Sequence, residues 1–459
     1  MLGMGRRQRH HEAVIAGGRV WTHGEWVKAD VGIDGGRIAR LGARLDGAER
    51  VDALNLLVFP GAIDGHTHME APAFGMTTRD TFESGTRAAA GGGVTTILDF
   101  TIAGDGTTLA EQVQARGETA RRSLVDVGLH AEVVGWRPDR EGEIADAVRA
   151  GVTSFKFYTV YAERSTPAEL ADAFRAISAV GGVAMVHAED PDAIAAASAA
   201  IPEPERSRMT SFPRSRPSQS EAIAVERMCA LAEAANVRLH IAHVSTAEAA
   251  AVIARAKARG VRVTAETCPH YLLLDQRVYA REDGRQWSVI PPIRTSEDRV
   301  ALWSALSDGT LDTVATDHCP FLRADKARPT NVLEIPCGLP GVETLLPLMH
   351  SEGVAARGLS LEWLARVVSG NPARIFDLAP RKGSLGVGAD ADLILFDPKK
   401  AWTLSAANLH MATDFSPFEG LAVRGAVVRT YVRGRCVFAD GEFPTGPGWG
   451  RFVASSAVP

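Results

Sequence analysis

Short apolar runs alternate with helical segments from about Leu57 to His318, and this alternation limits the possible folds more than any other feature of the chain. The eight runs are LLVFPGAIDGHTH, GVTTILDF, VDVGLHAEVV, GVTSFKFY, GGVAMVH, VRLHIAHV, VRVTAETC and LDTVATDH. Stretches of helical character, such as EGEIADAVRAG and TAEAAAVIARAKARG, separate most of them. Near-continuous apolar strands that alternate with helices are typical of a parallel sheet covered on both faces.

Eight strand–helix units are the number that closes a (β/α)₈ barrel. The competing fold is an open, doubly wound sheet, which should carry a glycine-rich phosphate-binding turn after its first strand. The first run ends in GAIDGHTH, which is not such a turn. The sequence therefore predicts an α/β fold with a TIM barrel over residues 57–379.

The two ends of the chain have a different pattern, in which apolar and polar residues alternate. It extends from about Glu12 to Val51, with turn signals at 16–18 and 34–36, and returns after about Gly383. Each set of hairpin strands is too small to be stable alone. We therefore expect residues 1–56 and 380–459 to combine into one small β-sandwich into which the barrel is inserted. Residues 444–459 are expected to form an extended arm.

The composition argues against several classes of protein. Of the 459 residues, 46% are hydrophobic and 23% are charged, as in a soluble globular protein. The net charge of −5 gives no electrostatic reason to bind nucleic acid or an anionic membrane, and no apolar run is long enough to span a bilayer. The five cysteines are scattered, and the basic N-terminus lacks a following apolar segment. We therefore expect a cytoplasmic protein without a disulfide framework or a secretory signal.

Polar residues that could bind metal ions stand near the ends of the apolar runs. The most unusual is Lys156, in SFKFYTVY, because a free ammonium group is costly to bury on an apolar strand. Carboxylation by carbon dioxide would convert it into an anionic carbamate that can bridge two metal ions. The candidate ligands, in chain order, are His66, His68, Lys156, His187, His243 and Asp317.

The carboxyl ends of barrel strands meet at one mouth, so these six side chains are expected to converge. His66 and His68 alternate on one strand and can therefore point at one ion. Each residue alone has an ordinary explanation, such as a snorkelling lysine or a helix-capping aspartate, but their joint position favours a metal site. Four imidazoles, one carboxylate and one carbamate suit two zinc ions, with Mn²⁺ or Co²⁺ as alternatives, and such a pair can hold a shared hydroxide.

The other histidines near these runs are not expected to be ligands. His240 is three residues before a candidate ligand and is predicted to face the other way. His130 and His270 lack partners at the right place in the pattern. His318 is interpreted as a supporting or packing residue rather than a ligand.

The motifs around these residues resemble those of the cyclic amidohydrolases, in the dihydropyrimidinase and hydantoinase branch. The resemblance covers nearly the whole chain and rests on GxxDxHTH, SFK, VHAE, AHVS, ETCPHYL, PPIR, TDHCPF and IPxGLPGVE. It implies that a buried ion is held by His66, His68 and Asp317. It also implies that His187 and His243 hold an outer ion and that carboxylated Lys156 bridges the two. Zinc dependence and a homo-oligomer, as a tetramer or dimer, are further implications.

The activity implied by this resemblance is hydrolysis of the cyclic amide bond of dihydropyrimidines or 5-substituted hydantoins, which gives N-carbamoyl amino acids. A hydroxide that bridges the metal ions is expected to attack the amide carbonyl. Tyr161, five residues after Lys156, is expected to donate a hydrogen bond to the developing oxyanion. Asp317 is expected to carry the proton of the attacking hydroxide to the departing ring nitrogen.

Two positions depart from the pattern of this branch, and they bear on the substrate. Ile290 stands where these enzymes usually have a serine before PPxR, and Cys337 stands where they have the asparagine of IPNGxPG. Both are expected to contact the substrate. The loop 69–74, together with Phe157 and Tyr158, is expected to line a pocket for its exocyclic substituent, and Met69 and Phe157 are assigned to substrate binding. Glu70 stands where dihydroorotases have an arginine that holds a carboxylate, which disfavours dihydroorotate.

Two other functions stay open at this stage. The first is an allantoinase or another cyclic imide hydrolase, although the apolar lining suits ureido-bearing allantoin less well. The second is a metal-free scaffold, because some animal relatives of these enzymes lack the metal ligands and do not catalyse. The presence of all six candidate ligands in this chain argues against the scaffold.

Overall fold

The computed structural model describes residues 10–22, 24–104 and 106–455. Most of the N-terminal stretch, for which no secretory signal is expected, and the last four residues of the expected arm lie outside these ranges. In chain order the strands are β1 (His10–Thr22), β2 (Glu25–Asp34), β3 (Arg37–Gly42), β4 (Asp46–Asp52), β5 (Leu57–Pro60), β6 (Ala62–Thr67), β7 (Pro72–Ala73), β8 (Met76–Thr77), β9 (Val94–Phe100), β10 (Asp126–Glu132), β11 (Ser154–Tyr158), β12 (Val183–His187), β13 (Arg238–Ile241), β14 (Val263–Thr267), β15 (Thr313–Val314), β16 (Leu393–Thr403), β17 (Ala422–Val432) and β18 (Arg435–Ala439).

The α-helices lie mainly between the barrel strands and after the last of them. In chain order they are α1 (Phe82–Gly91), α2 (Leu109–Thr119), α3 (Glu141–Arg149), α4 (Pro167–Ala179), α5 (Pro191–Ala199), α6 (Ser218–Ala235), α7 (Ala247–Ala258), α8 (Pro269–Leu273), α9 (Ser296–Asp308), α10 (Arg323–Ala327), α11 (Leu345–Leu348), α12 (Leu361–Ala365) and α13 (Asn371–Ile375). Two π-helical segments, Met349–Ala356 and Arg366–Gly370, continue α11 and α12. No helix in the described ranges has the length and apolar character needed to cross a membrane.

The barrel consists of β6 and β9 to β15, which form a parallel sheet in the order β15-β14-β13-β12-β11-β10-β9-β6. Its two edge strands meet through a parallel bridge between Thr67 and His318. Beside this bridge, the His68 N–H donates to the His318 carbonyl at 2.8 Å, and the Thr316 N–H donates to Asp64 at 3.0 Å. These contacts join the first and last strands, and the predicted (β/α)₈ fold is confirmed.

Threonine caps fix the points at which several barrel helices begin. The side chains of Thr81, Thr108, Thr166 and Thr295 accept hydrogen bonds from the first turns of α1, α2, α4 and α9. Each belongs to a capping box, in which the third helical residue bonds back to the threonine N–H. These caps fix the helical ends of the connections that follow the barrel strands, and those connections carry much of the candidate site.

The terminal sheet has the order β18-β17-β16-β5-β1-β2-β3, with β4 also paired to β1. It has a buried cluster of its own, which includes Ile15, Val31 and Leu393. The first predicted apolar run is divided, because Leu57–Pro60 pairs with β16 and only β6 enters the barrel. We propose that this sheet and the barrel are the two expected domains, with Leu57–Pro60 assigned to the terminal one.

One of the two predicted turns at the N-terminal end is instead a bulge within a strand. β1 continues through 16–18, and its register with β2 shifts between Ile15 and Gly18. Gly17 has φ +78°, a backbone conformation that favours glycine and suits a bulge. The signal at 34–36 lies at the β2–β3 turn, as expected. A glycine pair alone does not distinguish a bulge from a turn, because both use glycine.

The described part of the expected arm lies along the amino end of β10. Phe452 forms a parallel bridge with Val127, and the Arg451 N–H donates to Asp126 at 2.9 Å. Asp126 begins β10, whereas the candidate metal ligands stand at the carboxyl ends of the strands. The arm therefore contacts the end of the barrel that is opposite to the candidate site.

Candidate metal centre and substrate cavity

Three of the predicted ligands meet where the first and last barrel strands join. His66 is in the last part of β6, His68 follows that strand, and Asp317 follows β15. Asp317 Oδ1 lies 3.3 Å from His66 Nε2 and 3.1 Å from His68 Nε2. One possible ligand atom of each residue lies within 4.8 Å of the others. These three side chains could therefore bind a single ion, and we call them the inner group.

Two further predicted ligands form a second group beside the first. His187 ends β12 and His243 follows β13, and His187 Nδ1 lies 3.0 Å from His243 Nε2. Both side chains are buried. The ring centroids of His243 and His66 are 5.4 Å apart, so this outer group adjoins the inner one.

Lys156 extends from β11, which pairs with β12 so that Tyr158 stands opposite His187. Its side chain is buried, and Nζ lies 5.0 Å from the Phe100 ring centroid and 5.1 Å from that of Tyr158. Burial lowers the pKa of the Lys156 ammonium to about 8, although nearby carboxylates oppose that shift. The neutral amine, which is the form that reacts with carbon dioxide, is therefore more accessible here than in an ordinary lysine.

Two buried carboxylates stand behind the histidines, and the sequence motifs did not single them out. Glu266 Oε1 lies 2.5 Å from His66 Nδ1, and Glu189 Oε2 lies 2.8 Å from His187 Nε2. Burial would raise the pKa of each carboxyl, but adjacent charged groups and hydrogen bonds hold both below their ordinary values. A carboxylate on one ring nitrogen fixes the tautomer and leaves the other nitrogen free for a metal ion. His66 Nε2 and His187 Nδ1 are those other nitrogens, so the donor set fits two metal ions.

The remaining buried histidines support the site in different ways. His240 Nε2 lies 3.2 Å from Glu266 Oε2, so the prediction that it faces away from the site is wrong. It contacts the carboxylate that holds His66. His130 instead lies 2.6 Å from the Ser154 hydroxyl and 3.0 Å from the Gly65 carbonyl. Neither residue belongs to the ligand groups.

His318, which we interpreted as a supporting residue, uses both of its ring nitrogens. Nε2 lies 3.1 Å from Asp80, and Nδ1 accepts the Gly341 N–H at 3.0 Å. Its backbone also forms the bridge that closes the barrel. These contacts agree with a supporting role and leave no nitrogen for an ion.

Three of the predicted site residues share a strained backbone that the sequence did not signal. Tyr161, His243 and Asp317 have φ values of +72°, +37° and +51°. Non-glycine residues rarely adopt this left-handed region, and such strain concentrates at functional sites. The Tyr161 ring lies 5.2 Å from the His187 ring. Burial raises the pKa of its phenol well above the ordinary value, so the group stays protonated and can donate a hydrogen bond.

A cavity of about 870 Å³ opens over these residues. Its wall includes both ligand groups, Lys156, Tyr161 and the predicted substrate residues Ile290 and Cys337. Apolar side chains form much of the outer part, and Glu132 and Glu163 also line it. The cavity thus combines the candidate ligands with apolar side chains, of which Phe74 and Ile102 are partly exposed.

The structure does not bring Met69 or Phe157 to this cavity, and it gives a reason for each. Phe157 follows Lys156 on β11 and so faces the other side of the strand, where its ring packs 5.9 Å from that of Phe174 in α4. Met69 is completely buried and lies against Gly85 of α1. Neither residue is carried into the proposed site. Phe74, in the loop that was expected to line the substituent pocket, does line this cavity, and so do Ile102 and Val134, which the sequence motifs did not single out.

Glu70 also has a different environment from the one expected. Its Oε1 atom accepts the Phe82 N–H at 2.8 Å, at the start of α1. The negative charge stabilises that helix end and does not line the cavity. The carboxylates outside the ligand groups that line the cavity are instead those of Glu132 and Glu163.

Lys326 is another buried lysine, and its ammonium forms hydrogen bonds to both of the segments that carry Ile290 and Cys337. Its Nζ donates to the carbonyl and the hydroxyl of Ser288, both at 2.8 Å, and to the Pro336 carbonyl at 3.3 Å. The Cys337 thiol donates to the Ile335 carbonyl at 3.1 Å. Burial raises the pKa of that thiol to about 12, so it remains a neutral wall group rather than a nucleophile.

Known proteins resemble the chain over most of its length. The family model described as "Amidohydrolase family" matches residues 57–437. The chain belongs to the amidohydrolase family. This amidohydrolase is 36% identical over 450 residues to a D-hydantoinase of Geobacillus stearothermophilus, and the alignment covers 96% of each chain. It is also 37% identical over 435 residues to a D-phenylhydantoinase of Escherichia coli, with 93% of this chain and 94% of that one covered.

The solved structures agree with the relatives found by sequence. The amidohydrolase superposes on the dihydropyrimidinase of Brevibacillus agri with a TM-score of 0.95 at 33% identity, covering 97% of this chain and 99% of the other. The expected membership of the hydantoinase and dihydropyrimidinase branch is confirmed, and the protein is a cyclic amidohydrolase. The family is metal-dependent, and the inner group is a candidate binding site in this member.

Proposed function

We propose that this amidohydrolase opens the ring of dihydropyrimidines or 5-substituted hydantoins and releases N-carbamoyl amino acids. The observation that carries the proposal is the convergence of six side chains on one cavity, with the buried Lys156 among them. A neutral lysine amine can attack carbon dioxide, form a C–N bond and lose a proton, which gives a carbamate. That product has the two oxygens and the negative charge needed to join the inner and outer groups.

The residues would hold two divalent ions, for which Zn²⁺ is the best fit and Mn²⁺ or Co²⁺ the alternatives. The inner group would be His66, His68 and Asp317, and the outer group His187 and His243, with carboxylated Lys156 shared. When bound, the ions supply Lewis acidity that makes water nucleophilic near neutral pH and polarises the scissile carbonyl. Glu266 and Glu189 support this arrangement because they hold one histidine of each group.

Asp317 and Tyr161 have the positions needed for the two remaining tasks. Asp317 lies between the inner histidines and reaches the cavity, so its carboxylate can take a proton from the attacking water and deliver it to the ring nitrogen that departs. That delivery matters because an amide nitrogen leaves poorly without a proton. Tyr161 retains its phenolic proton and lines the same cavity, so it can donate to the oxygen that becomes negative.

The cavity favours a substrate ring that carries an uncharged substituent. Ile290 and Cys337 offer an apolar side chain and a neutral thiol at the wall, and Ile102 and Phe74 stand nearer the entrance. Glu132 and Glu163 are negative, and the described lining residues include no arginine. A substrate with a carboxylate, such as dihydroorotate, would meet repulsion without a compensating cation.

A ring-opening assay with metal analysis on the same sample tests this proposal. The substrates are dihydrouracil, alkyl- and arylhydantoins, allantoin and succinimide, and the product is identified by mass as the carbamoyl amino acid. We expect the dihydropyrimidine or the hydantoins to react fastest in protein that holds two ions. Allantoin turned over far faster than the others would assign the enzyme to ureido substrates instead. Protein that takes up no metal in the presence of bicarbonate, and opens no ring, would favour the scaffold.

A further inference from the structure

Arg216 lies behind the candidate centre, in the long connection between β12 and β13. Its Nη2 donates to Glu189 Oε2 at 2.7 Å, and its Nε lies 3.1 Å from Glu189 Oε1. Glu189 is completely buried, and the Arg216 side chain is only 12% exposed. Glu189 Oε2 also accepts from His187 Nε2 at 2.8 Å, so Glu189 links Arg216 to a histidine of the outer group.

The same guanidinium also contacts the ring of Tyr161. Arg216 Cζ lies 5.6 Å from the Tyr161 ring centroid, within the range of a cation–π contact. Tyr161 has the left-handed backbone noted above and packs 5.2 Å from His187. A residue in a strained backbone holds its position only when its surroundings fix it. Arg216 provides one such fixed contact.

Arg216 is itself fixed by a neighbouring arginine. Its carbonyl accepts a hydrogen bond from Arg294 Nη1. Arg294 Nε donates to the Ser245 hydroxyl at 3.1 Å, two residues beyond His243. Arg294 therefore links Arg216 to the segment that follows His243. Arg216 in turn binds Glu189, the carboxylate that contacts His187.

We propose that Arg216 is a positioning residue that sets His187, through Glu189, and Tyr161 at the same time. This inference rests on the proposed function of those two residues. The planar fork of arginine can bind both Glu189 oxygens while one of its faces meets the tyrosine ring, and a lysine cannot do both. Loss of Arg216 should therefore affect metal affinity at the outer group and the catalytic step together.

The test compares Arg216→Lys with the wild-type enzyme in a metal titration and in steady-state kinetics. Chelator competition with Zn²⁺ gives the two dissociation constants. We expect one ion to bind about 10- to 100-fold more weakly and the other to be unchanged, as for other partners of metal-bound histidines. At saturating Zn²⁺, kcat should fall with little change in KM. The same substitution should lower kcat much less when Tyr161→Phe is already present.

Two further variants keep the test decisive. Arg238→Lys is the matched control, because Arg238 pairs with Asp377 at the opposite end of β13, with distances of 2.9 and 3.0 Å. It should leave both dissociation constants and kcat unchanged.

Glu189→Gln removes the charge that Arg216 binds while keeping a hydrogen-bond acceptor. It should weaken the binding of the same ion even if Arg216→Lys folds poorly.

The proposal is overturned if both dissociation constants stay at the wild-type value and kcat falls by the same factor with and without Tyr161→Phe. It is also overturned if Arg238→Lys weakens the same ion to the same extent. Failure of the proposed function is a separate result, because a wild-type protein that opens no cyclic amide can still be titrated with Zn²⁺. The metal titration then tests the role of Arg216 without any activity measurement.

Discussion

The Nζ atom of Lys156 lies 5.0 Å from the centroid of the Phe100 ring and forms no ion pair with a carboxylate in the described ranges. A buried ammonium usually has such a partner, since an unpaired buried charge is costly. The low pKa of about 8 is the direct result of this burial. Lys156 therefore yields its neutral, carboxylatable amine at a lower pH than an ordinary lysine does.

Lys156→Ala should remove the bridge between the inner and outer groups. We expect metal content to fall and activity to drop by at least about 100-fold, because removal of even an outer partner of a ligand costs about 10- to 100-fold. Short carboxylic acids such as acetate or propionate should restore part of both, since they place a carboxylate where the carbamate would stand. Metal analysis and a hydantoin assay, each with and without the acid, measure this. Full activity without added acid would falsify the bridging role.

The pH dependence of reactivation tests the pKa of Lys156 directly. Metal-free protein is supplied with Zn²⁺ at a fixed concentration of dissolved carbon dioxide, and recovery of activity is timed. Only the neutral amine reacts, so a pKa of about 8 predicts a rate that rises about 10-fold from pH 7 to pH 9 and then levels off. An ordinary lysine would give a rate that continues to rise towards pH 10.5. A reactivation rate that becomes constant above about pH 9 would show that the pKa of Lys156 is lowered, and a rate that keeps rising would show that it is not.

Tyr161→Phe should reduce the catalytic step more than substrate binding. Loss of one donor to a developing oxyanion lowers kcat by about 10²–10³-fold, and KM should change little. Tyr158→Phe is the matched control, because Tyr158 lines the same cavity but donates its hydroxyl proton to Glu132 at 2.9 Å. It should change kcat by much less. An effect of Tyr161→Phe confined to KM would assign Tyr161 to binding alone.

Lys326→Met should loosen the wall that carries Ile290 and Cys337. The substitution removes the donor shared by Ser288 and Pro336, and a hydrogen bond from a charged donor contributes about 1.5–3 kcal/mol. The loss should stay near the lower end of that range, because the Ser288 carbonyl keeps the Gly338 N–H and the Pro336 carbonyl keeps the Ser288 hydroxyl. We expect a higher KM for the hydantoin, a lower melting temperature and unchanged metal content. Loss of both ions in this variant would show that Lys326 supports the metal centre as well.

The barrel and the convergence of the candidate ligands could be predicted because both follow from order along the chain. Parallel strands bring their carboxyl ends together whatever lies between them, so His66 and Asp317 meet although they are far apart in sequence. Alternation along a strand likewise placed His66 and His68 on one side. The same alternation failed for His240, because β13 ends at Ile241 and His243 lies beyond the strand.

The rest of the site depends on side-chain directions that no such rule fixes. Phe157 faces α4 because Lys156 occupies the inward position, and Met69 enters the core after the strand has ended. Glu189 and Arg216 meet through a connection whose path the sequence does not reveal. Acidic residues inside apolar runs, as in VHAED and VTAETC, were the available signal for Glu189 and Glu266. Attention to buried carboxylates beside candidate ligands would have found both.

The charge of the outer cavity should select among substituents of equal size. A 5-(2-carboxyethyl)hydantoin should have a lower kcat/KM than its uncharged 5-(2-carbamoylethyl) counterpart, because Glu132 and the exposed Glu163 line the cavity. Glu163→Gln should raise kcat/KM for the carboxylate by roughly twofold to fivefold, the range expected for one exposed charge, and leave the amide unaffected. Kinetics on the two substrates with both proteins measure this. An equal gain for both substrates would mean that Glu163 acts through the shape of the entrance and not through its charge.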